Sequence, residues 1–93
     1  MSVDLAQVKT LFAVLQWIVA AKAPEPSFEC ASDGSLALDW QLDRDAALSI
    51  NIYPSGEVGY SLLNGDQHGY GRLLAEELNA ALDIARDFFA GRR

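Results

Sequence analysis

Residues 64 to 71, NGDQHGYG, contain the residue types of an acid–base pair. Asp66 stands two positions before His68, the sole histidine of the chain, and Tyr70 follows two positions later. A carboxylate beside an imidazole can activate a nucleophile, but no serine or cysteine stands at a recognisable spacing from them. The glycine spacing is not that of a phosphate-binding loop. We therefore predict that this segment connects the fourth strand to the second helix, with a functional His68 as the alternative.

The chain offers few ligands for a metal. One histidine and one cysteine do not form a usual zinc site unless the fold adds carboxylates, so we predict no metal and no other cofactor. Cys30 is the sole cysteine and cannot form an internal disulfide. It is predicted to be a small buried residue in a reducing compartment.

The negative charge of the chain is concentrated in its middle. The 93 residues have a formal net charge of −6, and residues 24–71 contain eight acidic residues but only one basic residue, Arg44. An acidic surface repels phosphates, so direct nucleic-acid binding is disfavoured and a partner with a basic surface is favoured. The apolar run LFAVLQWIVA is shorter than the roughly 20 residues of a membrane span. We expect a cytoplasmic single domain, residues 1–93, with no membrane partner.

The first helix, predicted from Ser2 to about Lys22, is more apolar than one side facing a sheet requires. A broad stripe is expected to face the core: Leu5, Val8, Leu11, Phe12, Leu15, Ile18 and Val19. A second apolar line beside it consists of Val14, Trp17 and Ala21. Because exposed apolar lines mark interfaces, we predict that the second line mediates self-association. Burial of Trp17 inside the domain is the alternative.

The middle of the chain changes to a period of two, which indicates strands. Turn residues separate these segments at Asp33-Gly34, at Arg44-Asp45 and at Pro54-Ser55-Gly56. Helical spacing returns from about Leu73 to Ala90, with Gly91 as a stop. The expected fold is α+β, a two-layer α-β-β-β-β-α arrangement. Both helices are expected to cover one face of a four-stranded antiparallel meander.

Alternation also predicts which side chains occupy each face of that sheet. Trp40 alternates with leucines and is expected in the core. The opposite, polar side is predicted to bind a partner through Glu29, Asp39, Gln41, Asp43, Asn51 and Tyr53, with Ser49 and Ser61 beside them. Tyr53 would be the aromatic anchor of that surface. The alternative is an ordinary solvated face, as many antiparallel sheets have.

The segments DGSLALDW, LSINIYPSG and GYSLLNGDQHGYG resemble a recurring pattern in small uncharacterised bacterial and phage-type proteins. In that pattern, a DGS-x-x-L-[ED]-W-like strand precedes a hairpin, a tyrosine strand and a His-Gly. The likeness covers roughly residues 24–90, and Pro54-Ser55-Gly56 replaces the usual Pro-Asp-Gly. The resemblance implies one compact domain and a mobile-element setting, in which small acidic inhibitors are common.

Three functions are compatible with these features. The first is a non-enzymatic acidic binding module that inhibits or neutralises a larger, basic or nucleic-acid-binding protein, as immunity proteins, antitoxins and phage counter-defence (anti-CRISPR-like) proteins do. The second is an assembly subunit that self-associates through the first helix. The third, an enzyme using Asp66 and His68, has the least support from the sequence.

Overall fold

A computed structural model describes residues 5–90 and shows an α+β fold. Its helices and strands, in chain order, are α1 (Leu5–Ala21), β1 (Ser27–Cys30), β2 (Leu36–Asp43), β3 (Ala46–Ile52), β4 (Val58–Asn64), β5 (Gln67–Leu73) and α2 (Leu78–Ala90). One turn of 3-10 helix, Ala75–Glu77, precedes α2. The strands form one antiparallel sheet in the order β1-β2-β3-β4-β5. The predicted α+β class is confirmed, with five strands in place of four.

The fifth strand lies in the segment predicted to be a connection. Asn64 pairs with Gln67, so Gly65 and Asp66 form a two-residue hairpin turn, and Gly65 has a φ of 66°. Two glycines of β5, Gly69 and Gly71, occupy positions where alternation would place apolar side chains. Because glycine has no side chain, the period of two could not be recognised in this segment. The strand continues to Leu73, so the second helix begins later than predicted.

The three predicted turns are present. Gly34 and Gly56 both have a φ of 90°, a conformation that glycine adopts without strain. At the first turn, Oδ1 of Asp33 accepts hydrogen bonds from the backbone N–H of Ser35 at 2.9 Å and from its hydroxyl at 2.7 Å. These hydrogen bonds stabilise the charged form and lower the pKa of Asp33.

One hydrophobic cluster joins both helices to the sheet. It contains Val14 of α1, four residues of α2 and the apolar alternation of the central strands: Ala81, Leu82, Ala85, Phe88, Leu38, Trp40, Ala46, Leu48, Ile50, Ile52 and Val58. The predicted burial of Trp40 is confirmed, and its indole N–H donates to the carbonyl of Pro24 at 2.7 Å. That bond attaches the segment after α1 to the sheet.

The side of α1 that faces this cluster differs from the predicted side. Gln7, Thr10 and Val14 are buried, whereas most of the broad stripe points outward. The exposed residues are Leu5, Val8, Phe12, Leu15 and Val19; Leu11 and Ile18 are partly buried against the cluster. The rotation is fixed by polar contacts, because Gln7 and Thr10 both bond to the sheet's turns and strand ends.

Two smaller expectations are also affected. Cys30 is exposed at the end of the short edge strand β1, so its predicted burial is wrong. The predicted start at Ser2 and stop at Gly91 lie outside the described residues. Within residues 5–90, neither helix combines the length and the apolarity needed to cross a bilayer.

Candidate protein-binding face

The strand register aligns three rows of side chains that alternate with the hydrophobic cluster. Directly paired residues of antiparallel strands point to the same side of a sheet. The rows are Ser27-Asp39-Ser49-Ser61-Tyr70, Glu29-Ala37-Asn51-Gly59-Arg72 and Gln41-Ala47-Leu63-His68. These fourteen residues, together with Tyr53 and Glu57, which contact Gly59 and Arg72, are called the polar face below.

The interior of the polar face consists mostly of small residues. Alanine, serine and glycine occupy five of the eight interior positions of the rows, at Ala37, Ala47, Ser49, Gly59 and Ser61, and the other three are Asp39, Asn51 and Leu63. Larger side chains stand around this interior. The most prominent is Tyr70 on the edge strand β5, whose surface is 85% exposed. Tyr70 thus stands at the edge of a face whose interior side chains are mostly small.

The Tyr53 side chain packs beside Gly59. A Cβ atom at Gly59 would lie 2.9 Å from the Tyr53 hydroxyl oxygen, so the ring needs the absence of a side chain there. The guanidinium carbon of Arg72 stands 4.0 Å from the centre of the Tyr53 ring, in a cation–π contact. Arg72 Nε also donates to Glu57 Oε2 at 2.8 Å. Tyr53 is therefore half-buried in a three-residue stack.

Asp39 lies in the first row, between Ser27 and Ser49. Its carboxylate accepts a hydrogen bond from the Ser49 hydroxyl, and both side chains are half-buried. Glu29 is exposed on β1, and Asn51 is half-buried between Ala37 and Gly59. The structure thus brings Glu29, Asp39 and Asn51 together on one face, as predicted.

Asp43 does not belong to the polar face. The register of β2 shifts between Gln41 and Asp43, so Asp43 pairs with Ala46, a buried residue of the cluster. Such a bulge inserts a residue and turns the following side chain to the other side of the sheet. Gln41 remains on the polar face, and its side-chain amide donates to the Asp43 carbonyl at 2.6 Å. The prediction that Asp43 shares a face with Asp39 is wrong.

Arg72 was missed because β5 was not recognised as a strand. Its pairing with Gly59 adds a guanidinium to a face on which no basic residue was predicted. The carboxylates of Glu29, Asp39 and Glu57 still outnumber it, and Glu57 neutralises it directly. The turn at Gly65 followed by the alternation of His68, Tyr70 and Arg72 was the sequence signal that could have revealed it.

The candidate acid–base residues are spread along an open hairpin. Asp66 lies in the two-residue turn, and His68 and Tyr70 point to the polar face of edge strand β5. All three side chains are exposed to solvent. Within residues 5–90, no group of three histidine, cysteine, aspartate or glutamate residues could hold a metal.

Of the three predicted self-association residues of α1, one is buried and two are half-buried. Val14 is completely buried, and the Trp17 ring packs 6.3 Å from the Phe89 ring of α2. Trp17 and Ala21 also line a cleft of about 780 Å³ with Leu42, Asp43 and Phe89. Val14 is therefore unavailable to a partner, and the outward surface of α1 consists of the other apolar stripe. Dimerisation itself stays a prediction.

No protein-family model matches this chain, and no curated protein or solved structure is significantly similar to it.

Proposed function

We propose that this chain is a non-enzymatic binding module that docks through its polar face on a larger protein with a basic surface. The observation that carries the proposal is a sheet face whose interior positions are mostly small residues, with Tyr70 standing 85% exposed on the edge strand beside them. Tyrosine is enriched in protein interfaces because it contributes apolar area and a hydrogen bond with few rotatable bonds.

The proposal requires the polar face to be open. We infer that both helices cover the other side of the sheet, since Val14 of α1 and Ala85 of α2 are buried in one cluster with Ile50. Apart from the bulge of β2 after Gln41, successive pairs of residues across β2, β3 and β4 face this cluster and the polar face in turn. Neither helix then lies over the polar face.

The charges of the polar face favour a basic partner. Glu29 and Asp39 have no cationic partner among the ion pairs of the described residues, whereas Glu57 is paired with Arg72. Two carboxylates without cations attract lysine and arginine side chains, which accelerates encounter and orients the complex. A protein that normally binds nucleic acid presents such cations. The role would be that of a cytoplasmic inhibitor, antitoxin, immunity protein or phage counter-defence protein.

The two other functions, self-association and catalysis, are supported to different degrees. The exposed apolar stripe of α1 supports self-association, which is compatible with docking because it uses other residues. Catalysis by Asp66 and His68 is the less supported alternative. Their side chains are exposed on a hairpin, where water is not excluded from a reaction.

A charge-reversal pair tests the docking surface. The variant Glu29→Lys with Asp39→Lys reverses the charge on the polar face, and Asp83→Lys with Asp87→Lys makes the same change in net charge on exposed α2. Each protein is immobilised and used to capture proteins from the native host. A purified captured protein is then measured by surface plasmon resonance at several salt concentrations.

We expect a partner that the wild type and the α2 variant retain and that the polar-face variant loses. The association rate with wild type should fall with salt, and Tyr70→Ala should mainly speed dissociation. If every protein captured by wild type binds the polar-face variant with unchanged rates, or if wild type captures none, the proposal is wrong.

A further inference from the structure

The outward side of α1 carries a continuous apolar stripe. Five large side chains form it: Leu5, Val8, Phe12, Leu15 and Val19. Leu5, Phe12 and Val19 are 71%, 61% and 79% exposed, which is unusual for three large apolar residues on one helix. Phe28 of β1 extends the stripe, because it lines one groove with Leu15 and Val19.

The outward side of the second helix, which faces solvent, provides a comparison. The outward residues of α2 are polar or charged at Asn79, Asp83, Arg86 and Asp87. On α1, by contrast, the exposed stripe itself is apolar, and the polar residues Lys9 and Gln16 lie along its side. An apolar stripe on the outward side of a helix whose inward side already packs on the sheet is typical of a second buried contact.

The stripe follows the spacing of a helix–helix seam. From Leu5 to Val19 the exposed residues are separated by three, four, three and four positions. This is the a/d alternation of a heptad repeat, in which each side chain packs between side chains of a facing helix. On this numbering, the buried residues Gln7, Thr10 and Val14 occupy the c and f positions on the opposite side of the helix.

We propose that the stripe is the interface of a homodimer in which the α1 helices of two copies pack antiparallel around Phe12. In that orientation Leu5 meets Val19 of the second copy, Val8 meets Leu15, and Phe12 meets Phe12 at the two-fold axis. Each pair of facing side chains on either side of Phe12 then consists of one leucine and one valine, so these pairs all have the same volume. A parallel pair would alternate two leucines with two valines, which leaves layers of unequal size.

The self-complementary order of these side chains favours a second copy over an unrelated helix. A two-fold interface requires one patch to fit itself, and the sequence Leu-Val-Phe-Leu-Val does so when it is reversed. Antiparallel helices also bring opposite ends of their dipoles together. Lys9 would lie beside Gln16 of the second copy, so the flanks bring no like charges into contact.

The available area is sufficient for a specific dimer. Burying the exposed parts of the stripe and Phe28 removes roughly 600 Å² from each copy, and the total of about 1,200 Å² is at the lower end of stable interfaces. The dimer uses none of the polar-face residues. Both polar faces therefore stay accessible, and failure of one proposal leaves the other intact.

The oligomeric state of the full chain tests the interface. Wild type should sediment as a dimer at tens of micromolar, and Phe12→Glu should raise the dissociation constant at least about 30-fold, the effect of losing one interface hot spot. Leu74→Glu is the matched control, because Leu74 is a 51% exposed leucine outside the stripe. The control should stay dimeric, and circular dichroism should show all three proteins equally folded. A wild type that is monomeric at this concentration, or a Phe12→Glu variant whose dissociation constant equals that of the wild type, overturns the proposal.

A second variant covers the case in which Phe12→Glu does not fold. Val19→Lys changes the most exposed member of the stripe and should also weaken the dimer. A folded Val19→Lys protein that associates as tightly as wild type contradicts the interface.

Disulfide trapping tests the orientation of the helices. In a Cys30→Ser background, Leu5→Cys and Val19→Cys proteins are oxidised separately and as a mixture. Antiparallel pairing predicts a covalent dimer only in the mixture, because position 5 of one copy meets position 19 of the other. A rapid disulfide within Leu5→Cys alone would show a parallel pair and contradict the proposed arrangement.

Discussion

The side-chain amide of Gln7 donates a hydrogen bond to the carbonyl of Ile52 at 3.0 Å, across 45 positions of the chain. The same Nε2 donates to the carbonyl of Gly34 at 2.8 Å. One turn later, the Thr10 hydroxyl donates to the Gly56 carbonyl at 3.2 Å. Two polar residues of α1 thereby bind the β1–β2 turn, the end of β3 and the β3–β4 turn, and they fix which side of the helix faces the sheet.

Gln7→Ala is expected to lower the free energy of unfolding by about 1–3 kcal/mol, because two carbonyls lose a donor in a buried place. The measurement is a urea titration followed by circular dichroism. Gln16→Ala is the matched control, since Gln16 is exposed on the same helix, and it should change stability by less than about 0.5 kcal/mol. Equal effects of the two substitutions would show that the Gln7 contacts contribute nothing.

Gly71→Ala is expected to destabilise the sheet by about 1–3 kcal/mol. The added Cβ atom would lie 2.8 Å from Cε1 of Tyr60, so the ring has to move. Gly69→Ala on the same side of β5 meets nothing closer than the Leu62 Cβ at 4.0 Å and should be neutral or slightly stabilising. Thermal unfolding of the two variants compares them directly. If Gly71→Ala left the stability unchanged, Tyr60 would not pack against β5.

Lys22→Gly is expected to raise stability by about 0.5–1 kcal/mol. Lys22 directly follows α1 and has a φ of 55°. Its backbone N–H donates to the Val19 carbonyl, and the N–H of Ala23 donates to the Ile18 carbonyl, which together form a Schellman cap. Glycine adopts this left-handed conformation without the strain that a side chain adds. Lys9→Gly, inside the same helix, should instead lower stability by about 1 kcal/mol. Chemical denaturation measures both, and a fall in stability for Lys22→Gly would contradict the cap geometry.

Alternation alone predicted part of the strand structure correctly. Leu38, Trp40, Leu48 and Ile50 face the cluster as their period of two predicts, and the hairpin turns occur where Asp33-Gly34 and its counterparts indicate. The same reading fails at Asp43 and at β5. A bulge reverses the alternation without a distinctive sequence, and glycines at Gly69 and Gly71 carry no side chain by which a face can be recognised.

By itself the sequence determined both helices, the first four strands, the three hairpin turns between them, and the inward side of β3, β4 and the part of β2 before its bulge, because short-range periodicity and turn chemistry specify them. It could not determine the rotation of α1, since apolar residues occur nearly all round that helix and either side could face a sheet. Only the tertiary structure decided it. The carbonyls of Gly34, Ile52 and Gly56 come together when the sheet forms, and Gln7 and Thr10 turn inward to bond with them. That choice buries Val14 and leaves Phe12 exposed on the outer side of the protein.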